Sequence, residues 1–113
     1  MKAKPNPAHL LFEKHLKELG LTFFPEFRFH KERKWRLDYI LTDESGACLL
    51  RGATAIEIEG AIWSRGRHTR GKGYQADLDK YNAATMMGYR VLRFSTHDVL
   101  TGRAKAFLAE HLP

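Results

Sequence analysis

Ala53-Thr54-Ala55-Ile56-Glu57-Ile58-Glu59-Gly60 is the stretch on which the fold turns. Ile56 and Ile58 alternate with Glu57 and Glu59 at the period of a β-strand, so the isoleucines share one face and the carboxylates the other. Leu49, Leu50 and Gly52 lead into this strand and Gly60 closes it. Residues two apart on a strand lie roughly 6.5 to 7 Å apart, which makes Glu57 and Glu59 neighbours on one surface. An isolated pair of this kind is also what the solvated face of an amphipathic strand looks like, and the flanking segments distinguish the two cases.

Upstream, Thr22 to Leu41 carries two more strands. Phe23, Phe27 and Phe29 mark the first, and Trp35, Leu37, Tyr39 and Leu41 alternate along the second. His30-Lys31-Glu32-Arg33-Lys34 is polar enough to connect them, and Asp43-Glu44-Ser45-Gly46 supplies the next turn. Alternation sends Arg36, Asp38 and Ile40 to the opposite face, where Asp38 meets Glu57 and Glu59 if the second and third strands are neighbours. Before the strands, Pro7 to Leu19 reads as a helix. Ala8, Leu11, Phe12, Leu16 and Leu19 recur at helical spacing, Glu13 lies beside that stripe, and Gly20 ends it.

Downstream, Ser64-Arg65-Gly66-Arg67-His68-Thr69-Arg70-Gly71-Lys72-Gly73 has no apolar periodicity and reads as a loop. Tyr74, Leu78, Tyr81 and Ala84 or Thr85 return at helical spacing, with Gly88 as the cap. Tyr89 to Phe94 reads as a short strand interrupted by Arg90 and Arg93, and Ser95 or Thr96 caps a last helix ending near Leu112. The order is α-β-β-β-α-β-α. No repeat, low-complexity tract or linker divides the 113 residues, so one domain spanning 1–113 is expected.

Nineteen Lys and Arg against thirteen Asp and Glu leave a formal charge of +6, spread along the chain. A polyanionic partner is the natural reading. Nucleic acid is favoured over membrane, because no segment is apolar for long enough to span a bilayer and no basic amphipathic helix stands out. The single cysteine, Cys48, forms neither an intramolecular disulfide nor a multi-cysteine zinc site. Met1-Lys2-Ala3-Lys4-Pro5 is followed by no apolar core, so an ordinary secretory signal is not expected and a cytoplasmic location is the default. None of the six histidines falls in an HExxH pattern or a Cys/His array.

Carboxylates gathered on one sheet repel, and desolvation adds to the cost, so they call for protonation or a cation. A hard divalent ion such as Mg2+ takes oxygen ligands, keeps several waters, and accepts one or two carboxylates plus substrate phosphate oxygens. It could polarise a phosphoryl group and activate a water. Directly after the acidic strand, Arg65, Arg67, Arg70 and Lys72 are placed to grip a phosphate backbone, with glycines between them that permit close approach. His68 in the same loop could position or deprotonate water. A solvated loop is the competing reading.

Trp35-Arg36-Leu37-Asp38-Tyr39, then Ala55-Ile56-Glu57-Ile58-Glu59-Gly60 with a histidine downstream, then Gly88-Tyr89-Arg90-Val91-Leu92-Arg93-Phe94, resemble the PD-(D/E)xK nuclease superfamily. The similar branch is that of very-short-patch-repair (Vsr-like) endonucleases and their small relatives, often encoded by phages. It covers the chain from the first helix to about Val99. The resemblance implies an α/β fold with a mixed sheet in a restriction-endonuclease-like αβββαβ core, here with a C-terminal helix. It makes Asp38 the first acidic metal ligand and Glu57 the second, and it matches Glu13 to a first-helix acid that some members add to the metal site. Glu59 stands where the superfamily has lysine, which leaves water activation open among Glu59, His68, Lys72 and Lys80. On the second helix Gln75, Asp77 and Lys80 are candidates for the cleft wall, and Lys80 is the one put forward.

The expectation is therefore hydrolysis of a DNA phosphodiester by water attack, dependent on Mg2+ or Mn2+. Asp38, Glu57 and Glu59 serve metal and catalysis, with Glu13 as a further ligand and His68 as a further catalytic group. Arg65, Arg67, Arg70, Lys72 and Lys80 hold the nucleic acid. Phosphate contacts position without reading sequence, so branched, nicked or flapped DNA is favoured over a long recognition sequence. No nucleotide cofactor is expected, and a homodimer is left open. The rivals are a nucleic-acid-binding module of the same fold without catalysis, and an RNA-directed nuclease.

Overall fold

A computed structural model describes residues 6–45, 53–60 and 72–112, without the side chain of Lys72. The elements run α1 (Pro7–Glu18), β1 (Thr22–Arg28), β2 (Arg36–Thr42), β3 (Thr54–Glu59), α2 (Lys72–Met86), β4 (Arg90–Ser95), α3 (Thr96–Leu100) and α4 (Arg103–His111). This is the expected order, except that the single last helix is two. Gly102 adopts φ 82°, a left-handed conformation that interrupts the helix between Thr101 and Arg103. Gly20 and Gly88 turn the chain after α1 and α2 in the same way, at φ 74° and 94°. At the start of α1, Pro7 sits in the first turn and the Asn6 side chain accepts the Ala8 N–H at 2.8 Å.

The four strands form one sheet in the order β1-β2-β3-β4. The β1/β2 and β2/β3 pairs are antiparallel and β3/β4 is parallel, so the sheet is mixed. A parallel neighbour requires a crossover, and α2 lies within it. Adjacent residues on one strand reach opposite cores. Tyr39, Ile56 and Phe94 pack with Ala8, Phe12 and Leu16 of α1, Val99 of α3, and Ala104 and Leu108 of α4. Ile40 and Ala55 pack on the other side with Ala84 of α2, joined by Leu37, Phe29 and Ala53. The fold is thus an α/β sandwich with α1, α3 and α4 over one face of the sheet and α2 over the other.

Two expectations about packing are corrected. Strict alternation along β2 puts Trp35, Leu37, Tyr39 and Leu41 on one face, yet Trp35 and Leu37 join the α2 side while Tyr39 and Leu41 join the α1 side. The side changes at Asp38, whose backbone N–H bonds a side chain instead of the neighbouring strand, and opposite Glu26, which adopts φ 50°. Tyr74 and Leu78 were expected on the buried stripe of the second helix, but they are 51% and 39% exposed, and α2 buries its C-terminal half through Tyr81, Ala83 and Ala84. No helix among the described residues is long and apolar enough to cross a membrane.

Candidate active site

The register between β2 and β3 consists of Tyr39 opposite Ile56 and Ile40 opposite Ala55. One residue further, side chains replace the backbone ladder. The Asp38 N–H donates to Glu57 Oε2 at 2.6 Å, and the Ile58 N–H donates to Asp38 Oδ2 at 2.8 Å. Each carboxylate therefore takes a backbone donor of the other strand, and the sequence expectation that Asp38 and Glu57 come together is met by this crossed arrangement. Burial pushes the Asp38 carboxyl above the usual carboxylate range; the Ile58 N–H opposes the rise and the Glu57 charge adds to it.

Glu57 is 7% exposed, and α2 supplies its remaining partners. Lys80 Nζ donates to Glu57 Oε1 at 2.8 Å, and the Tyr81 hydroxyl donates to the same oxygen at 2.7 Å. Burial and the bond to Glu57 raise the Tyr81 phenol well above its ordinary range, so it serves as a donor across the physiological range. Lys80 was read from the sequence as a residue of the cleft wall and lies in direct contact with a proposed metal ligand. Tyr81 was read only as part of an apolar stripe. Its position next to Lys80 on a helix facing the acidic strand was the available signal.

Glu59 shares the α2 face with Glu57 but is drawn elsewhere. Its Oε2 accepts from Arg93 Nε, and the Arg93 guanidinium lies 4.3 Å from the centre of the Tyr81 ring. Arg93 stands beside Glu57 in the parallel register of β3 and β4, one strand over. Glu13 points from α1 into a third environment. The Tyr39 hydroxyl donates to Glu13 Oε2 at 2.9 Å, and His9 Nδ1 lies 2.9 Å from the same hydroxyl. Because that hydroxyl gives its one proton to Glu13, it receives one from His9 Nδ1.

Among the described residues, no three His, Cys, Asp or Glu side chains form a group that could hold a metal ion. The four acids expected around a common cation are thus divided: Asp38 and Glu57 converge, Glu59 is paired with Arg93, and Glu13 anchors Tyr39. Gln75 donates to Asp79 along the exposed face of α2. Arg65, Arg67, His68 and Arg70, and the side chain of Lys72, lie outside the described residues.

Asp38 and Glu57 fit a hard divalent ion by the chemistry of their oxygens. Asp38 Oδ1 accepts no hydrogen bond among the described residues, and Glu57 uses three of roughly four lone-pair directions. Two carboxylates with free lone pairs suit Mg2+ or Mn2+, whose coordination is completed by waters and phosphate oxygens.

The fold is shared with a solved structure. The solved catalytic domain of the homing endonuclease I-Bth0305I matches with a TM-score of 0.61 at 19% sequence identity, over 96% of this chain and 100% of that domain. No protein-family model and no curated protein matches the chain.

Proposed function

We propose that the chain is a metal-dependent endonuclease of the PD-(D/E)xK type that hydrolyses DNA phosphodiester bonds. The observation that carries this reading is the crossed Asp38–Glu57 arrangement with Lys80 seated on Glu57, in a fold shared with a homing-endonuclease catalytic domain. Asp38 and Glu57 would hold Mg2+ or Mn2+. When bound, the ion supplies Lewis-acid polarisation of the scissile phosphate and lowers the pKa of a bound water.

The chain's own residues set up the rest. Backbone N–H groups of Asp38 and Ile58 fix the two carboxylates. Lys80 takes the part of the superfamily's lysine from a helix instead of the strand position held by Glu59, and puts N–H donors where charge builds on the phosphoryl oxygens and where the attacking water must be oriented. Glu59, neutralised by Arg93, serves as a wall of the site. Arg65, Arg67, Arg70 and Lys72 grip the backbone, and selection is by DNA shape such as branches, nicks or flaps.

Three donors already surround Glu57, and this favours one second reading, a DNA-binding module of the same fold without catalysis. Incubation with supercoiled plasmid and a branched duplex, with and without Mg2+ or Mn2+, separates the two. Products that require metal and vanish in Asp38→Asn support the nuclease; binding without products under all conditions supports the module. Labelled single-stranded RNA in the same assay detects an RNA-directed enzyme.

A further inference from the structure

Beyond Glu59 a cleft of about 530 Å3 opens between the carboxyl ends of the parallel strands β3 and β4 and the start of α4. The carboxyl ends of parallel strands are where open α/β sheets bind ligands, and this volume is in the range of small-molecule sites.

The charges in the cleft are unequally engaged. Glu59 is paired with Arg93. Asp98 uses Oδ2 to accept the Ser95 N–H in the capping box of α3. Arg103 forms a loose ion pair with Asp98, its Nε 3.8 Å from Oδ1 and outside hydrogen-bond range, and its side chain is 77% exposed. The His97 ring makes no hydrogen bond among the described residues, although it too lines the cleft. The two anions are thus occupied, and the mouth presents a guanidinium fork and an imidazole.

A chain of side-chain contacts joins the cleft to the carboxylate pair. Arg93, which lines it, stacks on Tyr81, whose hydroxyl bonds Glu57. Glu59 is two residues beyond Glu57 on β3, roughly 6.5 to 7 Å along the strand. A nucleic-acid strand whose scissile phosphate lies at Asp38 and Glu57 therefore has this cleft as its next stop.

We infer that the cleft is a nucleotide subsite, in which Arg103, with His97 beside it, holds a phosphate flanking the one that is cut. The inference rests on the nuclease reading and adds to it a direction for the strand, along β3 toward its carboxyl end. A guanidinium fork suits phosphate because it offers parallel donors to two oxygens at once. A second phosphate contact fixes the strand's register, which a single contact leaves free to swing.

The test measures binding of a labelled branched duplex by fluorescence anisotropy over a series of salt concentrations, in an Asp38→Asn background so that bound DNA stays intact. Loss of one phosphate contact lowers the slope of log K against log salt by about 0.9. Arg103→Ala is expected to lower it by that amount, Arg103→Glu to weaken binding further, and Lys17→Ala, an exposed cation of α1 that does not line the cleft, to leave it unchanged. With Asp38 intact, Arg103→Ala should raise KM more than it lowers kcat. An unchanged slope in both Arg103 variants, with the unsubstituted protein still binding and cutting, overturns the subsite and leaves the nuclease reading standing. Absence of any DNA binding or cleavage by the unsubstituted protein overturns both.

Discussion

Asp38 and Glu57 each complete a hydrogen bond that the backbone of the other strand would otherwise lack. The Asp38 N–H is held by Glu57, and the N–H of Ile58, next to Glu57, is held by Asp38. Two carboxylates are thereby wedged between β2 and β3 where the ladder stops, and neither can swing away without leaving a backbone donor unsatisfied. Sheet geometry and site geometry are one constraint.

Removing metal exposes the cost of this arrangement. Burial, with the Glu57 charge adding to it, raises the Asp38 carboxyl. A raised acid favours its protonated form in the fold, so its contribution to stability is full below the ordinary value of 3.8 and is lost as pH rises through the raised one. In EDTA, Asp38→Asn should gain stability relative to wild type as pH rises from about 3 to about 7, measured by urea denaturation. A stability difference independent of pH contradicts this.

Lys80 and Tyr81 hold the buried carboxylate of Glu57. Lys80→Met leaves Glu57 without its cation and should cost about 3 kcal/mol, whereas Tyr81→Phe removes one donor to a charged acceptor and should cost about 1.5 kcal/mol. Adding Mn2+ should restore part of the Lys80→Met loss, because the ion supplies the missing positive charge. Equal losses with and without metal would show that the ion does not bind at Glu57.

The α3 capping box gives a pH dependence of opposite sign. The Ser95 backbone N–H is the main cause holding the Asp98 carboxyl below its ordinary 3.8. Its contribution is therefore present above that value and lost as pH falls through the lowered one. Ser95→Ala should cost about 1 kcal/mol at neutral pH. Asp98→Asn should be the less stable protein at neutral pH and approach wild type in melts taken down to about pH 2.

Much of the scaffold was legible because its signals are local. Pro7, Gly20, Gly88 and the two-residue period of Ile56 and Ile58 act within a few residues of themselves, and each appears as read. Gly102 was as local but sat inside a segment already read as one helix. The site was half legible. Asp38 and Glu57 follow from strand pairing, but the face change at Asp38 depends on a side chain replacing a ladder bond, which no periodicity records. Glu59 went to Arg93 because β4 brings an arginine beside β3, and Lys80 reached Glu57 because α2 crosses the same face; both are tertiary placements.

Tyr39 links α1 to the sheet, giving its proton to Glu13 and taking one from His9. Tyr39→Phe keeps the ring in the core but strands both partners, and should cost about 1 to 3 kcal/mol. If Glu13 is a structural anchor, Glu13→Gln should melt near wild type and respond fully to Mn2+. A lost metal response in Glu13→Gln would instead return Glu13 to the ligand set.

The most direct measurement is the melting temperature of wild type and Asp38→Asn with and without millimolar Mn2+. An ion bound only by the native state stabilises it by mass action. Wild type should melt higher with Mn2+, and Asp38→Asn should not respond. No Mn2+ response in wild type, or the same response in both proteins, would mean that Asp38 and Glu57 do not hold a cation.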